Sequence, residues 1–297
     1  LPDLCKRDPD AVLILTRETQ RYEAALAVLA HRPKRIFFEK PLVAQKGQAE
    51  VTEDDFTKGQ EIMKAATELG IETAMVFNYR FFEQSMAARK MIADRNLGQP
   101  TSITALVHYA CWSHCLDLIR WLAGPLREIT ALAGGQTHEG AGMKTHDVAA
   151  AFATVDGAAG TVQGTCGLGW NFPLFEIIFG FANGRIHMRD LDGPMEILDY
   201  RGNRHDIFQI SAHLSRWDQY NASFEKSLAA YLDSIRQGKP PPVPGMAGLE
   251  ELQFEAALRR SIAQQRPVNV QQEFPLPAHP APVHPSSRRK SNAHRQT

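Results

Sequence analysis

The sequence predicts an α/β domain with a parallel sheet, followed by an α+β domain whose mostly antiparallel, open sheet carries flanking helices. Over the first hundred residues, short apolar runs alternate with segments whose apolar residues recur every three or four positions. From Thr101 to about Ile210, strand-like segments punctuated by glycines replace that alternation. We therefore expect a first domain over 1–99, a second over 100–272 and a disordered, Pro- and Ser-rich tail over 273–297.

Three short apolar runs in the first domain are typical of buried parallel strands, at 11–15, 35–38 and 71–77. Helices are expected between and after them, at 20–30, 52–69 and 83–96. Thr52 is a plausible N-cap because acidic residues follow it in the first turn, and Gly70 suits the position after a helix C terminus. This order is the pattern of a parallel sheet covered by helices.

Strand-like segments in the second domain lie at 101–109, 148–154, 160–165, 175–181 and 185–189. The Asn183-Gly184 pair indicates a hairpin between the last two, and Gly134-Gly135 is also expected to punctuate strands. Helices are expected at 113–122, 217–236 and 247–264. The aromatic residues of the second helix, Trp217, Tyr220 and Phe224, are expected in its core-facing stripe.

The composition narrows the possible partners. Lys plus Arg and Asp plus Glu both total 33, so the formal net charge is zero and no global field favours nucleic acid or an anionic membrane. The chain has no apolar run of about 18 residues and no signal-peptide pattern. Four unevenly spaced cysteines favour a reduced, cytoplasmic protein. Because the first residue is not Met, we expect a fragment or a processed chain.

Polar side chains follow each of the three predicted parallel strands. These sets are Thr16-Arg17-Glu18, Glu39-Lys40-Pro41 and Asn78-Tyr79-Arg80. Since ligands bind at the carboxyl ends of the strands in such sheets, we expect a cofactor at this edge. An ammonium such as that of Lys40, beside a buried strand, loses solvation unless an anion or a polar ligand meets it. The alternative is a surface lysine paired with Glu39 in a tight turn.

In this setting the sequence resembles the glucose–fructose oxidoreductase/inositol dehydrogenase family, also called the Gfo/Idh/MocA family, over roughly residues 8–270. The most specific matching segment is Phe38-Glu39-Lys40-Pro41-Leu42. Weaker matching segments occur in the family's order, at 8–16, 77–81, 97–100, 114–122, 248–261 and 266–268.

The resemblance implies a Rossmann-like dinucleotide-binding domain that is truncated in this chain. No G-x-G-x-x-G motif occurs, so the family's N-terminal strand and Gly-rich turn, part of about sixty residues, would precede Leu1. It also implies NAD or NADP as cofactor and a sugar, amino-sugar or cyclitol as the polyol substrate. A homodimer or homotetramer formed through the open sheet is implied as well.

The resemblance further implies roles for individual residues. Lys40 and His114 would be catalytic, with Lys40 bridging the nicotinamide ribose and the substrate hydroxyl and His114 acting as base. Cofactor contacts would come from Thr16, Glu39, Lys40, Pro41 and Asn78. Substrate contacts would come from Arg80, Tyr109 and His114. A histidine suits this chemistry because oxidising a secondary alcohol removes a hydroxyl proton while hydride leaves. In this family a cis bond often precedes the residue that matches Pro41.

Several positions depart from the family pattern. Ala110 stands where an Asp four residues before the histidine is usual, and Ala247 replaces the Asp usual before Gly248. Thr16-Arg17-Glu18 and Arg21 replace a usual Thr-Pro-Asn and following His. The segment between Tyr109 and His114 looks shortened. Losing an acid that orients a catalytic histidine could slow the reaction by several orders of magnitude.

Other readings stay open. Cys111, His114 and Cys115 cluster, but a structural zinc site needs four ligands and no second pair has zinc-like spacing, so we expect packing and no metal. Three functions compete: an NAD(P)-dependent oxidoreductase acting on a secondary hydroxyl, a non-catalytic sugar- or dinucleotide-sensing relative, and an inactive fragment without the phosphate-binding turn.

Overall fold

The structure, a computed structural model, describes residues 2–190, 192–210 and 213–277. Its first sheet consists of β1 (Val12–Ile14), β2 (Arg35–Phe38) and β3 (Glu72–Met75). Its second sheet consists of β4 (Pro100–His108), β5 (Leu126–Gly140), β6 (Met143–Thr154), β7 (Ala159–Thr165), β8 (Phe175–Phe181), β9 (Gly184–Arg189), β10 (Met195–Asp199), β11 (Arg204–Phe208) and β12 (Val268–Asn269). The helices are α1 (Pro2–Cys5), α2 (Arg21–Leu29), α3 (Glu53–Glu68), α4 (Glu83–Asp94), α5 (Trp112–Ala123), α6 (Arg216–Gln237), α7 (Met246–Gln264) and α8 (Val270–Glu273).

The first sheet is parallel, in the order β1-β2-β3, as the alternation of runs predicts. Its helix α3 starts at a capping box, in which Thr52 and Asp55 bond to each other's backbone N–H groups. The helix ends before Gly70, whose φ of 68° lies in the left-handed region that favours glycine. The three predicted strands and three predicted helices of this part are all present; β2 has the expected bounds, and β1 and β3 are shorter than expected.

The second sheet is open and has the order β11-β10-β9-β8-β4-β7-β6-β5-β12. All its neighbouring strands are antiparallel except β4 and β7, so the prediction of a mostly antiparallel open sheet is confirmed. Its inner face buries residues such as Val107 and Phe152, whereas Thr104, Leu132 and Ala151 on the outer face are exposed. Within the described residues, helices therefore cover one side of this sheet only.

Helix α7 joins the two parts of the molecule. It packs on α3 beside the first sheet and on α5 and β5 of the second part. Gly248 lies so close to Leu42 and Met75 that an added Cβ would come within 3.1 Å of Leu42 Cβ and 2.9 Å of Met75 Sδ. A single cluster of buried apolar side chains accordingly contains residues of both sheets, so the two expected domains share one core.

Two sequence-based expectations about the second part are wrong. Gly134-Gly135 does not separate strands: it lies inside β5, where the pairing with β6 changes register between Ala133 and Thr137. Trp217 is 48% exposed and not in the core. The reason is that α6 packs through a different stripe, formed by Gln219, Ser223, Ser227, Tyr231 and Ser234.

The end of the described chain is packed against the body. Phe274 follows α8, is buried and meets the edge of the Phe56 ring at a centroid distance of 5.4 Å. Most of the tail expected over 273–297, from 278 onward, lies outside the described residues. Where the structure describes the chain, none of its helices is long and apolar enough to span a membrane.

Candidate functional site

The ends of β1, β2 and β3 bring the predicted polar segments to one edge of the parallel sheet. The backbone N–H of Glu39 donates to the Ile14 carbonyl at 3.2 Å, and that of Val76 donates to the Phe38 carbonyl at 2.8 Å. The Lys40–Pro41 peptide bond is cis, as the family resemblance implies. This edge is the place where a parallel sheet offers a ligand site.

Arg21 fastens this edge together. Its guanidinium is buried and donates one hydrogen bond to the Pro41 carbonyl and another, of 2.6 Å, to the Thr16 carbonyl. It therefore holds the segment after β1 against the turn after β2. Thr16 itself is exposed at this edge. The sequence marked Arg21 only as a departure from a family pattern and gave no sign of this structural role.

Lys40 is partly buried and its ammonium has a neutral partner. Its Nζ donates to Gln48 Oε1 at 3.2 Å, and Gln48 Nε2 lies 3.2 Å from Met143 Sδ at the start of β6. Burial raises the pKa of the neighbouring Glu39, although the charges of Lys40 and Arg21 oppose that rise. The sequence also allowed a surface lysine paired with Glu39 in a tight turn. The hydrogen bond of the Lys40 ammonium goes to Gln48 instead.

His114 lies in the first turn of α5 and is 2% exposed. Its ring stacks on Tyr79, with centroids 3.8 Å apart and planes at 4°, and meets the edge of Phe77 at 5.9 Å. Burial lowers the pKa of His114 well below its ordinary value, and the nearby ammonium of Lys40 lowers it further. The imidazole is therefore neutral at physiological pH, and the lysine is close enough to affect it.

Position 110 carries an alanine and not an acid, and one ring nitrogen of His114 is unpaired in the described chain. Among the described residues, no group forms a hydrogen bond with the buried Nδ1 of His114. The Ala110 N–H instead donates to His108 Nδ1 at 3.0 Å. A polar atom buried without a partner costs free energy, so the unpaired nitrogen agrees with the loss of an orienting carboxylate.

Asn78 presents an unpaired acceptor at the same edge. The side chain is 1% exposed, and its Nδ2 donates to Ser223 Oγ of α6 at 2.7 Å. Its Oδ1 is buried without a hydrogen-bond partner in the described structure. Because buried amides normally satisfy both groups, this oxygen fits a ligand that brings a donor, such as an amide or a hydroxyl.

Arg80 and Tyr109 are held by other parts of the protein. Arg80 donates two hydrogen bonds, of 2.8 and 2.5 Å, to the buried carboxylate of Asp117. Tyr109 packs on Trp112 at 5.3 Å, and burial raises its pKa, with Glu255 adding to the rise and Arg259 opposing it. Their expected substrate contacts stay predictions.

The cysteines beside His114 are packed in the core. The Cys111 Sγ lies 3.3 Å from the Tyr79 hydroxyl, and burial raises the pKa of Cys111 to about 11. Cys115 is fully buried. Over 2–190, 192–210 and 213–277, no three His, Cys, Asp or Glu side chains are grouped so that they could hold a metal ion.

Sequence reasoning missed the contribution of α6 and of Gln48. Ser223 Oγ accepts a hydrogen bond from Asn78, and burial raises the pKa of Tyr220 on the same helix, with Glu39 and Cys111 adding to the rise. Gln48 lies in a loop without periodicity, so no pattern marks it. The aromatic spacing of α6 was visible in the sequence, but it indicated packing.

Comparison with known proteins defines the fold. No protein-family model matches the sequence, and no curated protein matches it. An NAD binding oxidoreductase from Klebsiella pneumoniae has 17% identity and a TM-score of 0.73, with 90% of this chain and 82% of that chain covered. Levoglucosan dehydrogenase, in complex with NADH and L-sorbose, has 17% identity and a TM-score of 0.72, with 91% and 82% covered.

A regulatory protein has a similar structure. The super-repressor mutant of Gal80p from Saccharomyces cerevisiae has 12% identity and a TM-score of 0.71, with 92% of this chain and 84% of that chain covered. At these identities the likeness defines the architecture alone. The chain therefore has the Rossmann-like fold of NAD-binding oxidoreductases, which it shares with Gal80p.

Proposed function

We propose that this chain is a Gfo/Idh/MocA-type oxidoreductase that transfers hydride between NAD or NADP and a secondary hydroxyl of a sugar, amino-sugar or cyclitol. The observation that carries the proposal is that Lys40, at the carboxyl end of β2, lies near enough to His114 for its charge to lower the pKa of that histidine. The complex of levoglucosan dehydrogenase with NADH and L-sorbose, a protein of the same fold, supports a sugar-like substrate.

The residues at the sheet edge fit the nicotinamide end of the cofactor. The unpaired Oδ1 of Asn78 would accept a hydrogen bond from that end, and Lys40 retains donors beyond its bond to Gln48. Thr16, Glu39 and Pro41 line the same edge. When bound, the nicotinamide supplies the hydride acceptor or donor.

His114 and Lys40 divide the work on the substrate oxygen. The neutral imidazole takes the hydroxyl proton as hydride leaves the carbon, and returns it in the reverse direction. The lowered pKa of His114 makes it a weak base. The Lys40 ammonium therefore assists by stabilising the negative charge that develops on the substrate oxygen. The aromatic rings of Tyr79 and Phe77 fix the orientation of the imidazole, for which no carboxylate is provided.

The test is turnover of a panel of polyols with NAD and NADP by the wild-type chain and by Lys40→Met. We expect the variant to lose about a hundredfold or more in kcat while its circular dichroism and Tm stay unchanged. Lys46→Met is the matched control, because Lys46 is an exposed lysine of the same segment, and it should keep full activity. Unchanged turnover in Lys40→Met contradicts the proposal.

A second candidate is a sensing relative that binds sugar or dinucleotide without turnover. The unpaired Nδ1 of His114 beside Ala110 favours it, and the fold shared with Gal80p gives a precedent for regulation. Saturable ligand binding by a chain that transfers no hydride to any panel member would support this candidate over the first.

We further propose self-association through the outer face of the second sheet. This face is lined by small and apolar side chains, among them Leu132, Ala151 and Thr161, and no helix of the described chain covers it. Exposed apolar patches of this kind mark interfaces between proteins.

A further inference from the structure

Two tryptophans outside the Lys40–His114 pair form an exposed aromatic platform, defined here as Trp170 and Trp217. Their indoles are 42% and 48% exposed, with centroids 6.1 Å apart and planes at 26°. Two large apolar side chains that remain exposed to water contribute little hydrophobic stabilisation to the fold. Their exposure therefore points to a ligand.

The platform is held in place through its backbone. Arg216, the first residue of α6, donates to the Trp170 carbonyl at 3.0 Å and to the Phe172 carbonyl at 3.1 Å. The same guanidinium pairs with Asp190 at 2.8 Å and with Asp192 at 3.4 Å. The loop that carries Trp170 is thus fastened to the helix turn that carries Trp217, which leaves both indoles ordered and accessible.

The platform is continuous with the candidate site. Trp170 meets the edge of His108, the last residue of β4, at 5.6 Å, and the chain passes from there directly to α5 and His114. Trp217 meets the edge of Tyr220 at 6.0 Å on α6, the helix whose Ser223 accepts a hydrogen bond from Asn78. Through His108 and α6, the tryptophans therefore adjoin the elements that carry His114 and the hydrogen-bond partner of Asn78.

The chemistry of the platform selects its occupant. The C–H groups of a pyranose carry a slight positive charge and suit the negative face of an indole. A centroid separation of 6.1 Å leaves no room for a third ring between the two indoles, so the ligand lies on an outer face. The cation of this region, Arg216, is already paired with two aspartates, which disfavours a phosphate-bearing ligand.

We propose that Trp170 and Trp217 form a sugar-stacking subsite, which takes the second, non-reacting ring of a neutral glycoside whose first ring is oxidised at Lys40 and His114. The inference rests on the proposed function for the reacting ring. The substrate class is then a neutral disaccharide or alkyl or aryl glycoside.

The experiment compares neutral disaccharides, such as cellobiose and maltose, with glucose in the wild type, in Trp217→Ala and in Trp170→Ala. We expect the wild type to prefer a disaccharide, and each variant to raise KM for that disaccharide about tenfold, far more than for glucose, with kcat retained. Tyr200→Ala is the matched control, because Tyr200 is 57% exposed in the β10–β11 turn, at the opposite end of the sheet from His108. It should change neither constant.

A binding measurement separates this inference from the proposed function. Calorimetric titration with the same disaccharides needs no turnover. Binding that Trp217→Ala weakens, in a chain that oxidises no sugar, keeps the subsite and rejects the oxidoreductase. Oxidation of glucose with no preference for disaccharides, or equal losses for both sugars in the tryptophan variants, overturns the subsite alone.

Discussion

His114 is a buried imidazole that packs against two aromatic rings and lies near the ammonium of Lys40. Burial and the Lys40 ammonium both favour its neutral form, and Tyr79 fixes its plane. In the proposed reaction such a group is always ready to accept a proton at neutral pH, and its weak basicity places more of the work on Lys40.

The pH dependence of oxidation follows from this environment. The base form of His114 persists below its ordinary pKa of 6.5, so the acid limb of the kcat/KM profile should lie below pH 6.5. Initial rates across pH measure it. His146→Gln, a change at an exposed histidine, should leave the profile where it is. An acid limb at or above pH 6.5 contradicts the role given to His114.

Glu251 is the clearest buried acid whose charge lacks a partner. It is 1% exposed, and its Oε2 has no hydrogen-bond partner in the described structure. Burial raises the pKa of Glu251 well above 4.5, Glu255 raises it further and Lys40 opposes the rise. The folded state therefore holds this proton more tightly than the unfolded chain does.

Glu251→Gln should flatten the fall of stability with rising pH. Above the unfolded pKa of about 4.5 and up to the raised folded pKa, folding takes up one proton here, so each pH unit costs about 1.4 kcal/mol. The variant lacks that slope and should gain stability over the wild type as pH rises above 4.5. Urea unfolding at several pH values checks this, with exposed Glu225→Gln as control. If the free energies of unfolding of variant and wild type differ by the same amount at every pH, Glu251 does not take up a proton on folding.

At the scale of elements, α6 connects the stability of the fold to the geometry of the site. Its N terminus has a capping box between Ser215 and Asp218, and its first turn carries Arg216 and Trp217. About two turns later, Ser223 accepts a hydrogen bond from Asn78. Fraying at this end would loosen the loop of Trp170, whereas the box at Thr52 only starts α3.

Ser215→Ala and Thr52→Ala make a matched pair of cap deletions. Each should lower the free energy of unfolding by about 1 kcal/mol, because each removes a side-chain acceptor for a helix N–H. Only Ser215→Ala should also weaken the binding of disaccharides. Thermal unfolding and calorimetric titration measure the two effects. Equal binding by both variants would separate the cap of α6 from the site.

The elements were predictable where local patterns decide them. Apolar runs, the Thr52 cap and Asn183-Gly184 indicated strands, a helix start and a hairpin that the structure contains. The long strand β5 was hidden because Gly134-Gly135 looks like a turn, although a register change absorbs the pair. The site was partly predictable, since strand ends converge by topology. The contacts of Gln48, Arg21 and Ser223 depend on tertiary packing, which no short pattern encodes.

At the scale of the molecule, α7 binds the parallel sheet to the second sheet, and the second sheet leaves its outer face bare. The helices of the described chain cover one side, and the other side exposes Leu132 and its small neighbours to water. Such an apolar sheet face suits a second copy of the chain, which is the self-association proposed above.

Leu132→Arg tests this face. Leu132 is 62% exposed on β5, and a charge there should prevent two such faces from packing. Sedimentation velocity should show an oligomeric wild type and a monomeric variant, while Leu4→Arg, at a site 48% exposed on α1, should stay oligomeric. A monomeric wild type, or a variant that assembles normally, contradicts the interface.

The proposed reaction transfers hydride between a secondary alcohol carbon and the nicotinamide at Lys40 and His114. Incubation of the chain with NAD or NADP and polyols deuterated at carbon, followed by mass spectrometry of the dinucleotide, measures the transfer itself. We expect one deuterium in the reduced dinucleotide from the wild type and none from Lys40→Met. Dinucleotide and polyol that both bind, with no deuterium transferred from any of them, would contradict the account and identify a sensor.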